Sequence, residues 1–376
     1  MKIITIIYFF IILALTNYTH SSFQISIFSR LNEKNKDKNI SISPLSIFQT
    51  LSLLANGANG ETRNEILKLL DDKLIEEINI LYFKILSILK DSSSLEISNA
   101  IMSRLSPLPE YVKFVKLSNF SRIMPLKSLK QIHKWCEFKT HGKIRDITYE
   151  LDNSIFMIIL NLINFKLYWA NPFSKELTIS RLFYTKQYIQ NVNMMRMSGH
   201  FAFFEDSNLQ AIKLNFLRES MSSLIILPKM ELDINEFINI LEEDDEYLYT
   251  IYNNLKTTNI NLEMPKFEIR YEEKLKELFK DMGVNLAFNN SADFSYIRSQ
   301  NDLKIDEIIH KIYLNINEEG TDTHHIKDQK KQNSFSQLET SINIIINRPF
   351  LFILRNSNLP KNFDIIFISK VEKVNM

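Results

Sequence analysis

Residues that could carry chemistry are few in this chain, and their spacing matches no familiar active site. The sequence contains no GxSxG, HExxH or CxxC motif and no phosphate-binding glycine loop. Only His324 and His325 are adjacent, and neighbours on an extended chain point in opposite directions, which is poor geometry for one metal ion. The single cysteine, Cys136, lies in a segment with helical apolar spacing, which favours core packing. We therefore predict no catalytic residue, metal or cofactor, and keep a hydrolase assembled from distant residues as an alternative.

The segment NEEGTDTHHIKDQKKQNSF (317–335) is built from charged and amide side chains. It has no apolar period and therefore no core of its own to join. Strand-like apolar blocks flank it, and a polar connection of about twenty residues is longer than ordinary loops. Loops of that length are usually functional or disordered. The residues alone therefore leave open whether this segment is functional or only a disordered connection.

The N-terminus reads MKIITIIYFFIILALTNYTHSS, with Lys2, an apolar run from Ile3 to Leu15, and then small polar residues. This pattern is typical of a secretory signal peptide, because a membrane span needs about 20 apolar residues. Cleavage after Thr16 or after Ser21 satisfies the small-residue rule. We predict a signal peptide at 1–21 and one secreted domain at 22–376, which has no intrachain disulfide because it contains one cysteine.

The overall composition is that of an ordinary globular chain of 376 residues, 45% hydrophobic and 24% charged. Its 45 basic and 44 acidic residues give a formal charge of +1, so no global field directs it to nucleic acid or to a membrane surface. We interpret one local basic excess as a solvated face, with a polyanion site, such as a site for a sulfated glycan, as the alternative. This excess contains Arg104, Lys113, Lys116, Arg122, Lys127, Lys130 and Lys134.

Hydrophobic periodicity predicts helices in the first third of the chain. The block 45–72 is typical of two helices with a turn at Gly57 and Gly60, and Thr62 and Glu65 have capping-box spacing for the second helix. A third amphipathic helix is predicted at 76–90. Later in the chain, the block 271–283 predicts a helix closed by its final glycine.

Strands are predicted in the remainder of the chain. The apolar block NSIFMIILNLINFKLYW (153–169) suits a central strand buried on both faces. Shorter apolar or alternating runs predict further strands at 221–228, 260–271, 306–316, 349–355 and 363–371. Helices followed by strands make the fold class α+β with a large sheet, and the absence of repeats or composition breaks favours a single domain.

Five ordered blocks, which extend from about Phe23 to Val371, resemble the serpin family. These blocks are NISISPLSIFQTLSLLANGANGETRNEI (39–66), LNLINFKLYWANPF (160–173), INLEMPKFEI with MGVNLAF and ADFSYI (260–297), IDEIIHKIYLNINEEGTDT (305–323) and NRPFLFILRNSN (347–358). The chain has only six glycines, and the resemblance leads us to expect each of them in a turn or at a loop base.

The resemblance implies a fold of three β-sheets with about nine helices and an exposed reactive-centre loop at about 318–346. In the family, a protease cuts this loop as a substrate, and the freed segment inserts as a new strand into the largest sheet. The acyl-linked protease is carried across the molecule and distorted. New ladder hydrogen bonds and burial of alternate side chains drive such an insertion. The implied partner is a serine protease, or alternatively a cysteine protease, and the implied state is a monomer.

Individual residues match named regions of the family. Glu318, Gly320 and Thr321 match the hinge, where glycine tolerates the dihedral angles of both loop and strand. Trp169 matches the aromatic residue of the breach, at the top of the sheet. The hydrogen-bonded cluster called the shutter is matched by Ser43, Ser46, Asn161 and His310. A buried histidine that donates to the asparagine or to a serine satisfies groups that otherwise cost about 1–3 kcal/mol each.

The residues after the hinge depart from the family pattern. Inhibitory members have mostly alanine and other small residues there, whereas this chain has THHIKD (323–328). Insertion has a period of two, so Thr321, Thr323, His325, Lys327 and Gln329 would share the inward face. Burial of an unpaired Lys327 ammonium costs several kcal/mol. In addition, Leu167 and Ser369 replace glycines of the family.

Two counts locate the scissile bond differently. Counting forward from Glu318 by about seventeen residues, as is usual in the family, gives the bond Ser334–Phe335. Counting back from Pro349 gives a bond near Leu338, because the loop is about four residues longer than usual. We prefer Ser334 and Phe335, since sheet length fixes insertion depth at about 3.3 Å per residue. Lys330 and Lys331 would attract trypsin-like enzymes, but cleavage there releases too short a strand.

The sequence therefore predicts a secreted serpin that inhibits a serine protease as a consumed substrate. The alternative is a non-inhibitory serpin that acts as a binding or carrier protein. Three N-x-S sequons are present, at Asn39, Asn119 and Asn289. We expect Asn39 to be unglycosylated, because the family buries that position.

Overall fold

The computed structural model describes residues 22–90, 95–118, 120–218, 220–244, 246–321 and 341–374. Some predictions concern residues outside these ranges and stay predictions. They are the signal peptide at 1–21, the sequon at Asn119, the adjacent His324 and His325, Lys327, the reactive bond Ser334–Phe335, and the other loop residues from 322 to 340.

Nine α-helices lie within the described ranges, six of them in the first 140 residues. In chain order they are α1 (Phe23–Lys34), α2 (Pro44–Gly57), α3 (Gly60–Leu69), α4 (Ile75–Leu89), α5 (Pro109–Lys116), α6 (Leu129–Lys139), α7 (Ile234–Glu243), α8 (Glu246–Asn253) and α9 (Lys276–Asp281). None of the described helices is long and apolar enough to span a membrane.

Fourteen strands lie within the same ranges. They are β1 (Ile40–Ile42), β2 (Leu95–Ser103), β3 (Ser121–Pro125), β4 (Met157–Phe165), β5 (Ile179–Tyr184), β6 (Ile189–Glu205), β7 (Leu209–Asn215), β8 (Met221–Pro228), β9 (Lys256–Pro265), β10 (Phe267–Lys274), β11 (Glu307–Ile316), β12 (Ile342–Ile345), β13 (Phe350–Asn356) and β14 (Ile365–Val371).

Five strands form one sheet in the order β10-β11-β4-β2-β3. The other nine are continuous through the long strand β6, which pairs with β5 and β9 along most of its length and with β7 near its C-terminal end. This strand joins a sheet of β5, β6, β9 and β12 to a sheet of β7, β8, β13, β14 and β1. The α+β class with three sheets and about nine helices is confirmed.

Strand β4 is the central strand that its continuous apolar sequence predicts. All nine of its residues are buried, because both faces of the five-stranded sheet are covered. Ile159, Ile163 and other odd-numbered residues of β4 join the main core, whereas the even-numbered Ile158, Leu160 and Leu162 pack in a second core with Cys136 of α6. Burial raises the pKa of the Cys136 thiol to about 12, as expected for a packing residue.

Several local predictions were wrong because long-range contacts use the residues differently. Helix α3 begins at Gly60, so Thr62 lies inside it and accepts a hydrogen bond from Asp293 N. Glu65 accepts from Asn285 N and Leu286 N instead of closing a capping box. The predicted helix at 271–283 is shorter, since Tyr271 to Lys274 belong to β10.

Other departures concern the glycines and the basic cluster. Gly199 is not in a turn but lies within β6, opposite Ile260 of β9. Arg104 donates to Ile155 O and Asp152 O, so it is a structural residue. The other six basic residues of the cluster are exposed, which fits the interpretation as a solvated face. Asn39 is half-buried and its amide donates to Lys373 O, which agrees with an unglycosylated side chain.

Candidate functional site

Strands β4 and β11 run parallel at the centre of the five-stranded sheet, and the candidate site lies where they part. Their ladder extends from Ile158, opposite Glu307, to Asn164, opposite Tyr313. Beyond Tyr313, β11 continues to Ile316 without pairing to β4 in this ladder. The strands therefore diverge at this end and leave backbone groups that need other partners.

A tight turn after β11 fills the opening between the two strands. Asn317 and Gly320 pair with each other, with Asn317 N donating to Gly320 O at 2.9 Å and Gly320 N donating back at 3.2 Å. Gly320 also forms an antiparallel bridge to Tyr168, in the segment that follows β4. The turn thus reverses the chain and places Gly320 between the extensions of both strands.

Thr321 continues this pairing by one residue. Its N–H donates to Leu167 O, and its hydroxyl oxygen accepts from Leu167 N, both at 2.7 Å. The Thr321 side chain is buried, so the position predicted to enter the sheet first is already seated against the extension of β4. Leu167, which replaces a glycine of the family, is buried and supplies both backbone groups.

The close approach at Gly320 leaves no room for a side chain. Its φ is +140°, a backbone conformation that favours glycine. A Cβ at this position would lie 2.0 Å from Leu167 O and 2.8 Å from Tyr168 Cα. Glycine is therefore required here by the packing of two backbones, in addition to the dihedral freedom expected from the sequence.

Trp169 holds the turn from the side. Its ring is buried and stacks on Phe216 with centroids 4.5 Å apart. The indole Nε1–H donates to Asn317 O and the backbone N–H donates to Glu319 O, each at 2.9 Å. The predicted breach residue thus touches the hinge through two hydrogen bonds.

Glu318 anchors the hinge by charge. The carboxylate is buried, accepts from Thr178 Oγ1 at 2.8 Å and pairs with Lys266 Nζ at 2.9 Å. Burial alone would raise the pKa of this carboxyl, but Lys266 and Thr178 outweigh it and hold the pKa below its usual value. The neighbouring Glu319 pairs with Lys175 at 2.7 Å.

Further down the same sheet, the four predicted shutter residues come together in one buried cluster. His310 lies opposite Asn161 in the ladder, and His310 Nδ1 is 2.6 Å from Asn161 Oδ1. Ser43 is the N-cap of helix α2, and its N–H donates to His310 Nε2 at 3.1 Å. The Asn161 amide nitrogen lies 3.0 Å from Ser46 O. We call this cluster, with its neighbours Asn99 and Thr50, the polar row.

The hydrogen bonds of His310 define its protonation. Because Nε2 accepts from a backbone N–H, the neutral ring carries its proton on Nδ1 and donates it to Asn161. Burial lowers the pKa of His310 to about 3, since a buried imidazolium loses its hydration. The row is therefore uncharged at neutral pH.

Sequence reasoning missed two members of the polar row. Asn99 on β2 lies opposite Asn161, accepts its amide at 2.9 Å and accepts the Ser46 hydroxyl at 3.3 Å. Thr50 of α2 is 3.1 Å from the same amide nitrogen. Strand alternation in LEISNAIMS (95–103) places Asn99 on the inward face between Ile97 and Ile101, and this was the signal available in the sequence.

Comparison with known proteins agrees with this geometry. A family model described as Serpin (serine protease inhibitor) matches residues 18–374. The protein Iris of Ixodes ricinus is 29% identical over 360 residues, covering 89% of this chain and 93% of that protein. Antitrypsin of Bombyx mori is 27% identical over 362 residues, covering 91% and 88%. The solved complex of human thyroxine-binding globulin with thyroxine has a TM-score of 0.84 at 26% identity and covers 95% of this chain and 98% of that one.

Replacement of Gly320 by alanine should disrupt the hinge turn. We expect a loss of about 1–3 kcal/mol in unfolding free energy, because the added Cβ meets backbone atoms and the φ is strained. Urea unfolding followed by circular dichroism measures it. Gly199→Ala is the matched control, since its Cβ meets only the Phe201 ring, at 3.8 Å. Equal unfolding free energies of the two variants would contradict the conclusion that position 320 requires glycine.

The polar row should make stability depend on pH between 7.5 and 5. In this range the unfolded chain protonates His310 near pH 6.5 but the folded chain does not, so stability is complete above pH 6.5 and falls by about 2 kcal/mol towards pH 5. His310→Gln should remove this part of the loss, whereas the exposed His200→Gln should not. Denaturant midpoints at pH 7.5 and pH 5 test this. If His310→Gln shows the same pH dependence as the original protein, protonation of His310 does not account for the loss of stability.

Proposed function

The chain belongs to the serpin family, and from that premise we propose that it is a secreted inhibitor of a serine protease, consumed as a substrate. Cleavage in the segment between the hinge and β12 frees a strand that inserts between β4 and β11. The observation that carries the proposal is the hinge itself, because Gly320 and Thr321 already occupy the start of the path that such a strand follows. The apolar run from Ile3 to Leu15 supports secretion.

The register of the hinge supports a definite depth of insertion. Gly320 lies opposite Tyr168 and runs antiparallel to it. Counting down β4 from that pair brings residue 331 opposite Met157, the first residue of the strand. Cleavage at Ser334–Phe335 frees enough chain to fill this length, whereas cleavage after Lys330 does not. The register therefore requires cleavage beyond residue 330, which the bond Ser334–Phe335 and the alternative near Leu338 both satisfy.

The alternating burial of the sheet supports an inward face for the odd-numbered residues from 321 to 331 after insertion. Inward-facing residues of β4 and β11 that flank the path, such as Phe165, Ile312 and Leu314, belong to the main core. In this register the side chains at 323 and 325 would turn towards those residues. New ladder bonds to both strands and burial of these side chains provide the driving force.

The same register brings residue 327 level with His310 and Asn161, so Lys327 would enter the polar row. Separation of β4 from β11 breaks the His310–Asn161 bond and frees an acceptor for the ammonium. The row contains hydrogen-bond partners but no carboxylate among its members, so the charge would still lack a counter-ion. Insertion is therefore opposed at this level, and slow insertion allows a protease to deacylate and escape.

A non-inhibitory binding or carrier protein is the second candidate. The residues THHIKD (323–328) after the hinge favour it, because a chain that never inserts does not need small side chains there. The similarity to thyroxine-binding globulin, solved with thyroxine, is compatible with it. In that case the loop is cut cleanly and no protease is trapped. A hydrolase remains the third hypothesis, and turnover of a generic ester would indicate it.

Incubation with a panel of serine and cysteine proteases tests the proposal. We expect one serine protease to form a complex that survives denaturing gel electrophoresis, with cleavage at Ser334–Phe335 identified by mass spectrometry of the released C-terminal fragment. The complex is stable because the acyl bond is never hydrolysed. Cleavage of the loop by every protease in the panel without any such complex would favour the carrier hypothesis.

Replacement of the residues after the hinge should improve trapping. A variant with alanine at Thr323, His324, His325 and Ile326 and threonine at Lys327 should raise the fraction of protease trapped, because it removes bulk and charge from a strand that must enter a packed sheet. Titration of inhibitor against protease activity measures that fraction. After cleavage, the variant should also melt at a higher temperature than the cleaved original.

Lys330→Thr is the matched control for the charge, since even-numbered positions turn to the opposite face of the inserted strand. The protease used should not cleave after lysine. If the original already traps one protease per molecule and gains as much stability on cleavage, Lys327 finds a sufficient partner and the predicted barrier does not exist.

A further inference from the structure

Insertion between β4 and β11 requires the two halves of the five-stranded sheet to separate. One half contains β3, β2 and β4, and the other contains β11 and β10. At the hinge end the halves have parted, because the ladder stops at Tyr313 and Thr321 bonds to Leu167 beyond it. Separation has to travel from there to the opposite end of the ladder. Contacts at that opposite end are the last to break.

One carboxylate joins the two halves at the opposite end. Asp306 immediately precedes β11, and its Oδ2 accepts hydrogen bonds from Phe156 N at 2.7 Å and Met157 N at 2.9 Å. The backbone N–H of Asp306 donates in return to Met157 O at 2.8 Å. Hydrogen bonds to an ionised acceptor are roughly twice as strong as neutral ones. This carboxylate is therefore a strong link across the gap.

Each side of the link is anchored in its own half of the sheet. Phe156 O accepts from Arg104 N at 2.8 Å, which ties the start of β4 to the chain leaving β2. On the other side, Ile305 N donates to Ala287 O at 2.9 Å. Because both sides are held, the carboxylate cannot follow one half when the sheet opens, and its bonds must break.

We propose that Asp306 is a positioning residue that keeps the closed sheet together and sets the rate at which β4 and β11 separate. This inference rests on the insertion proposed above. An entering strand breaks ladder bonds between β4 and β11 but replaces them, because its backbone pairs with both strands. The bonds to the Asp306 side chain are not part of the ladder, and an entering backbone does not restore them. Their loss therefore opposes opening without compensation.

Uptake of a synthetic peptide tests this role without any protease. The peptide has the sequence of residues 321–334 with threonine in place of Lys327, and native gels and resistance to heating report its uptake. We expect Asp306→Ala to take up the peptide at least tenfold faster than the unsubstituted protein, because the charged hydrogen bonds from both Phe156 N and Met157 N are lost. Asp306→Asn keeps an acceptor oxygen without the charge, so its rate should be intermediate. Circular dichroism before the assay establishes that each variant is folded.

Asp152→Ala is the matched control. The Asp152 carboxylate also accepts a hydrogen bond from a backbone N–H near the start of β4, because Ser154 N donates to it at 2.7 Å. This bond does not connect β4 to β11. An unchanged rate in Asp306→Ala, or equal acceleration in Asp152→Ala, would overturn the role of Asp306 and leave insertion intact. If neither the unsubstituted protein nor Asp306→Ala takes up the peptide, the sheet does not open, and insertion and the role of Asp306 are both wrong.

Discussion

The structure depends on how the backbone groups at the open end of β4 and β11 are satisfied. Buried N–H and C=O groups need partners, and two parallel strands that diverge cannot supply them to each other. The chain that leaves β11 turns back and supplies them instead, through Thr321 to Leu167 and through Glu319 O to Trp169 N. Glu319 and Thr321 therefore close the opening between the two strands, and they belong to the start of the segment that is proposed to insert there. Trp169 and the Glu318–Lys266 pair hold this arrangement in place.

Further along the gap, the polar row links β4 to β11 by hydrogen bonds between side chains. Most inward-facing residues of the sheet are apolar, but His310, Asn161 and Asn99 lie side by side on adjacent strands and bond to the start of α2. A hydrogen bond between neutral groups in the core defines the register of β4 against β11 at a modest net gain in stability. Such a contact can be exchanged for another, whereas a close-packed apolar seam would resist any change in strand spacing.

The same hinge geometry is compatible with an inhibitor and with a carrier. Seating the turn needs only a glycine at 320, where two backbones approach, and a small residue at 321 that fits against Leu167. Both requirements are met in this chain. In the proposed mechanism, the two functions would differ in the free energy of burying the residues after Thr321, which depends on the size and charge of those side chains. In the proposed insertion, Lys327 would be the critical residue, because the register would bring it level with His310 and Asn161, and the polar row contains no carboxylate.

Much of the fold was accessible from the sequence, because burial on both faces of β4, β8, β11, β13 and β14 leaves continuous apolar runs in the chain. The resemblance to a family supplied the hinge and four members of the polar row, and the structure brings those four together. The elements that were not predicted are helices α1, α5, α7 and α8 and strands β1, β2, β3, β5, β6 and β7. In β6, buried and exposed residues do not alternate regularly, since different parts of this one strand pair with β5, β7 and β9.

By itself, the sequence determined which segments are apolar enough to be buried and where a glycine or a charge interrupts them, because those properties belong to single residues and their neighbours. Only the tertiary structure decided which polar groups meet across the fold. Thr62 and Glu65 have the spacing of a helix cap, yet they bond to residues 285–293. Asp306 is one acid among 44 in the sequence, and only the parallel pairing of β4 with β11 brings its carboxylate to Phe156 and Met157. Hydrogen-bond partners depend on distances through space, which local periodicity does not encode.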